Sequence, residues 1–154
     1  MSIITDAIDH HEARNAECIH AIRQAAYGQE AAILGIRTFP PLAESASQIR
    51  ESSDEFAGAW IDKRLAGVVS YSKGDSSKGC LITSLVVDPT CQRLGVGSAL
   101  ISAAVLKMGN KPISVSTAAR NGPALALFAK FEFVEVGRRM VEPEKLELVD
   151  LLRK

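Results

Sequence analysis

The sequence predicts a single α/β (α+β) domain, spanning residues 1–154, in which a mixed, mostly antiparallel sheet of about six to seven strands is flanked by about four helices. Three observations carry that prediction. The chain has 154 residues, 47% hydrophobic and 23% charged, enough to bury one core. Its middle holds three consecutive apolar runs of strand length joined by short polar links. Its second half alternates strand, helix, strand, helix, strand, as right-handed crossovers over a mixed sheet require.

Taken in order, "SIIT" is a first strand, and Asp9 is placed to cap a helix from His10 to about Tyr27, with Ala13, Ala16, Ile19, Ala21 and Ile22 at helical spacing and Gly28 as its stop. "AAILGIRTFPPLAESASQIRESSDE" is an irregular connection broken by Gly35 and Pro40-Pro41, with a short helix from Leu42 to Glu51. "EFAGAWI" and "LAGVVSYS" form a hairpin around Asp62-Lys63-Arg64, and "CLITSLVV", after a flexible "KGDSSKG", completes an antiparallel meander. No charged residue occurs from Leu94 to Leu106, so a helix there is covered over most of its surface. "ISVST" is a strand, Asn121 to about Lys130 a helix, and "FEFVEVGRR" a strand. The final "EKLELVDLLRK" stays open between strand, from the alternation of Leu146 and Leu148 about Glu147, and helix, from Pro143. Its apolar content would suit a homodimer contact.

Charge and cysteine usage exclude several function classes. Lys plus Arg and Asp plus Glu number 18 each, so no overall field draws the chain to nucleic acid or an anionic membrane. The first residues carry Asp6 and Asp9 where a signal peptide needs a basic start, and no run approaches the roughly 20 apolar residues of a membrane span, so a cytoplasmic protein is expected. Cys18, Cys80 and Cys91 have no paired spacing, and His10, His11 and His20 do not share a helix face, so no metal is expected.

Chemistry concentrates in "SLVVDPTCQRLGVGSAL", residues 84–100. A strand that ends in a turn bearing Gly95 and Gly97 and then enters a helix leaves several backbone N–H groups unpaired and pointing one way, which makes an anion nest. Each hydrogen bond to a charged group contributes about 1.5–3 kcal/mol, against about 0.3–1 kcal/mol from the helix dipole. The amide array therefore dominates. No carboxylate lies between Asp88 and Glu132, and Arg93, Lys107 and Arg120 are available to offset a diphosphate. A Walker loop is excluded because Gly97 is followed by Ser98-Ala99 rather than lysine. A dinucleotide fingerprint is excluded because Leu100 stands at its third glycine.

"QRLGVG", Gln92 to Gly97, after a strand ending "VVDP", resembles the Q/R-x-x-G-x-G/A signature of the GNAT N-acetyltransferase superfamily. "NGPALALFAKFEF" resembles that family's N-x-x-A helix and closing "GF" segment, with Asn121, Ala124, Phe128 and Phe133 at the matching positions. The resemblance extends over nearly the whole chain. It implies a sheet splayed between its two central strands, with acetyl-CoA in the gap. It implies further that Gln92, Arg93 and the amides of Leu94, Gly95, Val96, Gly97 and Ser98 hold the diphosphate. Leu85, Val86 and Val87 would pair with the pantetheine arm, a strand amide near Val86 or Val87 would hydrogen-bond the thioester carbonyl, and Asn121 and Phe128 would flank the thiol end. The implied reaction is direct acetyl transfer to a primary amine of a small molecule or peptide.

The sequence departs from the family where proton transfer is concerned. Phe128 occupies the usual tyrosine position, and Leu81 a place where some relatives carry a glutamate. Ser84, Thr83 and Tyr71 are the substitute acids, and Asp62, Glu30 and Glu44 the candidate bases, with no spacing that singles one out. Arg37 is a candidate for gripping an acceptor's carboxylate or phosphate, and Glu132 stands at the usual glycine. A cofactor-binding sensor that has lost turnover is the second reading, supported by these departures, and a different nucleotide-binding domain the third.

Overall fold

The computed structural model describes residues 2–73 and 79–154. The elements are β1 (Ile3–Ala7), α1 (Ala13–Leu34), a 3-10 turn (Pro40–Ala43), α2 (Ala46–Glu51), β2 (Glu55–Ile61), β3 (Arg64–Ser72) and β4 (Cys80–Val87). A second 3-10 turn (Pro89–Cys91) is followed by α3 (Val96–Met108), β5 (Ile113–Ala118), α4 (Gly122–Lys130), β6 (Val134–Val141) and β7 (Leu146–Arg153). One seven-stranded sheet runs β1-β2-β3-β4-β5-β7-β6, and every neighbouring pair is antiparallel except β4 with β5. The α/β class, the mostly antiparallel sheet and the four helices follow the expectation. The flexible link expected at "KGDSSKG" falls for the most part outside the described residues.

The sheet carries apolar cover on both faces. Ile101, Leu100 and Ala104 of α3 and Phe128 of α4 join Tyr71, Ile82 and Val115 in the larger cluster, while Ile19 of α1 and Ile49 of α2 cover Phe56, Val68 and Val86 in the second. Gly67 permits the first contact: a Cβ there would come within 2.8 Å of Val96 Cγ1 and 2.9 Å of the Val86 carbonyl oxygen. The β2–β3 hairpin turns on Asp62 and Lys63, at φ 48 and 68, both left-handed as a two-residue turn matching the strand twist demands.

Helix α1 differs from expectation at both ends. It begins after Glu12 with no side-chain cap, and Asp9 instead closes the preceding turn, its carboxylate accepting from the His11 N–H and its carbonyl from Asn15 Nδ2. It passes through Gly28 and stops at Gly35, φ 70. One helical glycine costs about 0.5–1 kcal/mol, whereas the extra turns bury Ala31 and Leu34 against Phe39 and Ala118, contributing about 1.5–3 kcal/mol for a side chain of leucine's size. Burial wins. The expected Leu42–Glu51 helix divides because Ser45 forms a capping box with Gln48, so α2 starts at Ala46. The C-terminal segment is a strand between β5 and β6 with Val149 and Leu151 buried, so its apolar residues are used inside the sheet. Exposed apolar side chains lie instead on edge strand β6, at Val134, Val136 and Met140.

Candidate functional site

The sheet opens between its central strands. β4 and β5 pair at Cys80 with Ile113 and Leu81 with Ser114, after which Ile82–Val87 runs without a partner on that side among the described residues. The Asp88 N–H donates to the Ala66 carbonyl across β3, and main-chain direction alternates along a strand, so Val86 and Ser84 also face β3 while Leu85 and Val87 present N–H and C=O to the gap. Thr83 is the extra residue of a β-bulge between the Ser70–Ser84 and Tyr71–Ile82 pairs. Of the three β4 positions expected to meet a pantetheine arm, Leu85 and Val87 therefore offer main-chain groups, while the Val86 side chain is buried under α1.

At the C-terminal end of β4 the chain bends through Arg93, φ 65, and Gly95, φ 90, into α3. The Ala99 N–H takes the Gly95 carbonyl, which leaves the amides of Val96, Gly97 and Ser98 outside the helical ladder, as at any helix start. The two glycines have different grounds. Gly95 is held at a φ that side chains avoid, although a Cβ there would make only an ordinary contact, with Ile3 Cδ1 at 3.8 Å; a Cβ on Gly97 would meet Leu127 Cδ2 at 2.8 Å, so that glycine lets α4 approach α3. Gln92 Nε2 donates to Gln29 Oε1 of α1, and Leu94 and Arg93 are exposed. Of the cations, Arg93 stays in the loop, Lys107 lies at the far end of α3, about 16 Å along the axis, and Arg120 donates to the Leu34 carbonyl at 3.0 Å.

Asn121 caps α4 through Oδ1, which accepts from the Ala124 N–H, and its Nδ2 donates to Glu30 Oε2 at 3.0 Å. Burial raises the Glu30 pKa above the ordinary carboxylate value, opposed by that hydrogen bond. Phe128 is 3% exposed and packs edge-to-face on Phe133, so it belongs to the core beneath the gap. Tyr71 is equally buried, in the same cluster, with its pKa raised mainly by burial.

On the α1 face of β4 lies a pocket of about 300 Å³. Arg23, Tyr27, Glu44, Ser52, Asp54, Ser70, Thr83 and Ser84 are its polar lining residues, and Pro40, Pro41 and Phe56 its apolar walls. A directed chain of hydrogen bonds crosses it: Arg23 NH2 donates to Ser70 Oγ at 2.9 Å, Ser70 and Thr83 share a bond of 2.7 Å, and Thr83 Oγ1 donates to Asp54 Oδ2 at 2.8 Å. Arg23 also pairs with Glu44 and stands over the Phe56 ring, 5.1 Å from its centroid. Tyr27 Oη and Ser84 Oγ share a hydrogen bond of 2.5 Å.

The structure thus brings Ser84, Thr83 and Glu44 together and separates the other candidates. Tyr71 is in the opposite core, Asp62 is in a surface hollow with Trp60, and Glu30 is engaged with Asn121. The backbone N–H groups of Arg37 and Thr38 donate to Glu144, and the Arg37 side chain is exposed. Leu81 is exposed at the last β4–β5 pair, and Glu132 holds the left-handed conformation, φ 69, that a glycine would hold without strain. Arg23, Tyr27 and Asp54 were not legible as site residues; the signal for the first two was their spacing with Glu30 at i, i+4 and i+7, which marks one polar stripe on an otherwise apolar face of α1. Among the described residues no group of three or more His, Cys, Asp or Glu has metal-binding geometry, and no helix is long and apolar enough to cross a membrane.

Residues 18–133 match the Acetyltransferase (GNAT) family. The chain belongs to that family. It is 35% identical over 127 residues to the UPF0157 protein YqkA of Bacillus subtilis, an alignment covering 82% of this chain and 36% of that protein. The GNAT fold is matched across the whole domain by solved structures of low identity. The ribosomal-protein-S18-alanine N-acetyltransferase from Escherichia coli superposes with a TM-score of 0.75 at 16% identity, covering 98% of this chain and 92% of the other. The PaiA N-acetyltransferase from Thermoplasma acidophilum in complex with coenzyme A gives 0.71 at 14% identity, covering 97% and 98%. In this GNAT chain the signature "QRLGVG" is the bend into α3, and the N-x-x-A segment is the capped start of α4.

Proposed function

We propose that this GNAT domain is an acetyl-CoA-dependent N-acetyltransferase that passes the acetyl group directly to a primary amine of a small molecule or peptide. One observation carries the reading. The unpaired edge of β4, at Leu85 and Val87, runs between the free amides at the start of α3 and the polar pocket at Ser84 and Thr83. The residues present fit the group: amides 96–98 and Gly95 suit a diphosphate, and the open strand edge suits an amide-bearing arm. The coenzyme A complex of the Thermoplasma neighbour supports the same choice of donor. Acetyl-CoA supplies an activated two-carbon acyl group as a thioester.

The chain's own residues do the rest. A Leu85 or Val87 N–H facing the gap is placed to stabilise charge developing on the thioester oxygen. The amine's lone pair forms the C–N bond, the C–S bond breaks with its electrons going to sulfur, and the amine sheds a proton. Glu44 and Asp54 against Arg23 leave the pocket with one excess negative charge, which attracts a protonated amine; a carboxylate, directly or through water, takes one proton to free the lone pair before attack, and the second proton leaves once the C–N bond has formed. A peptide's terminal amine or a small amine both enter a space of this size.

The sensor reading has one observation in its favour, the burial of Phe128 where the family's tyrosine would stand. Release of free thiol from acetyl-CoA with a panel of polyamines, amino acids and peptides separates the two. Turnover with any amine supports the transferase; binding of acetyl-CoA without turnover across the panel supports the sensor.

A further inference from the structure

A phenol is missing from α4 and present on α1. The chain has two tyrosines. Tyr71 is 3% exposed in the core on the α3 side. Tyr27 reaches the pocket from the other face and shares its 2.5 Å hydrogen bond with Ser84. Ser84 stands between the bulge at Thr83 and Leu85, the first residue past the bulge whose main chain faces the open gap. The Ser84 hydroxyl is thus at the junction of gap and pocket, where the acyl end of a ligand lying along Leu85 and Val87 arrives.

We propose that Tyr27, acting through the Ser84 hydroxyl, is the proton donor to the departing thiolate, in place of the hydroxyl that Phe128 lacks. The inference rests on the transferase reading. In this step Ser84 gives its proton to sulfur as the C–S bond breaks, and takes the Tyr27 proton in turn. The phenolate recovers a proton from solvent or from the ammonium formed by the attacking amine. Burial raises the Tyr27 pKa above 10.0; the Ser84 bond and Arg23 oppose the rise, and Glu30 and Glu44 add to it. The phenol is therefore protonated at neutral pH. A free thiol titrates near about 8.5, below a phenol raised above 10.0, so full transfer to a free thiolate is uphill. The donor's effect is a hydrogen bond that strengthens as charge grows on sulfur, with transfer completed as the amine's proton neutralises the site.

Two measurements test this. With Tyr71→Phe as background, Tyr27 is the single phenol, and its ionisation is followed by tyrosinate absorbance. Coenzyme A is expected to move the midpoint upward, because a thiolate beside the phenol opposes a second negative charge, and a desulfo analogue is expected to leave it in place. The second measurement is kinetic. Tyr27→Phe and Ser84→Ala are each expected to lower kcat about 10²- to 10⁴-fold, with the acetyl-CoA Kd and the melting temperature nearly unchanged, and the double variant is expected to fall no further than the worse single one. Equal midpoints with coenzyme A and the desulfo analogue overturn the placement of Tyr27 beside sulfur. Turnover in Tyr27→Phe within about threefold of wild type, far short of the loss of a general acid, overturns the proton donor and leaves the transferase reading intact. Absence of turnover in the wild-type protein overturns both.

Discussion

The buried guanidinium of Arg23 makes the polar pocket a sensitive point for stability. Its side chain is 7% exposed and that of its partner Glu44 is 37% exposed. Glu44→Ala leaves the cation with the Ser70 hydroxyl and the Phe56 ring, while its Nε already has no hydrogen-bond partner among the described residues. Removing one member of a buried pair costs about 3–5 kcal/mol. Water reaches the Glu44 side, so about 1–3 kcal/mol is expected here. For a domain of this size each kcal/mol moves the melting temperature by about 2–4 °C, giving a fall of about 2–12 °C. Arg23→Met removes the cation and returns Glu44 to solvent, so it is expected to stay within about 1 kcal/mol of wild type. The double variant should match Arg23→Met. Thermal and urea unfolding at neutral pH and low salt measure all three. A Glu44→Ala protein as stable as wild type, or a double variant showing the sum of the singles, would refute the picture of a desolvated cation dependent on one carboxylate.

Three further outcomes are expected. Gly95→Ala costs stability, about 1–2 kcal/mol for a side chain forced to φ 90, but leaves the amides in place; Gly95→Asp adds a negative charge there and should weaken acetyl-CoA binding about 10- to 150-fold beyond the alanine variant, equivalent to one charged hydrogen bond of about 1.5–3 kcal/mol. Glu30→Gln keeps a carbonyl for Asn121 while removing a carboxyl whose pKa burial raises above 4.5. Because the folded pKa lies above the unfolded one, the wild-type contribution is present below the unfolded value and is lost as pH rises through the folded one. Melting temperatures of the two proteins should therefore separate in favour of the glutamine variant on going from about pH 4 to about pH 7, and a constant difference would contradict the raised pKa. Glu132→Gly relieves a left-handed side chain at φ 69, gaining about 1–2 kcal/mol against up to about 1 kcal/mol of added chain freedom, so its melting temperature should rise or stay level; a fall would contradict the strain.

Much of the fold was legible because its signals are local. Apolar runs of strand length joined by polar links marked the β2–β3–β4 meander, the uncharged run from Leu94 to Leu106 marked α3, and the helix expected from Asn121 to about Lys130 is α4, with Asn121 as its cap. The bend at Gly95 was legible for the same reason, since a glycine between a strand and an apolar helix states its dihedral requirement in sequence. What was not legible depends on contacts distant in the chain. Gly28 resembles a stop until Ala31 and Leu34 find Phe39 and Ala118. The bulge at Thr83, which turns Thr83 and Ser84 toward one pocket, is a property of strand register, not of the residues. Tyr27, Arg23 and Asp54 come from segments that meet only once α1 lies across β4. The lost role of Lys107 follows from helix length, which places it a full helix away from the bend it was expected to serve.

The central claim is that the free amides at the start of α3 and the unpaired edge of β4 together hold a pyrophosphate-bearing thioester. Calorimetric titration of the wild-type protein with acetyl-CoA, repeated with 3′-dephospho and desulfo analogues, tests it most directly. Saturable one-to-one binding that survives both truncations, with a matching rise in melting temperature, is the predicted result. No heat and no thermal shift at millimolar ligand would contradict it.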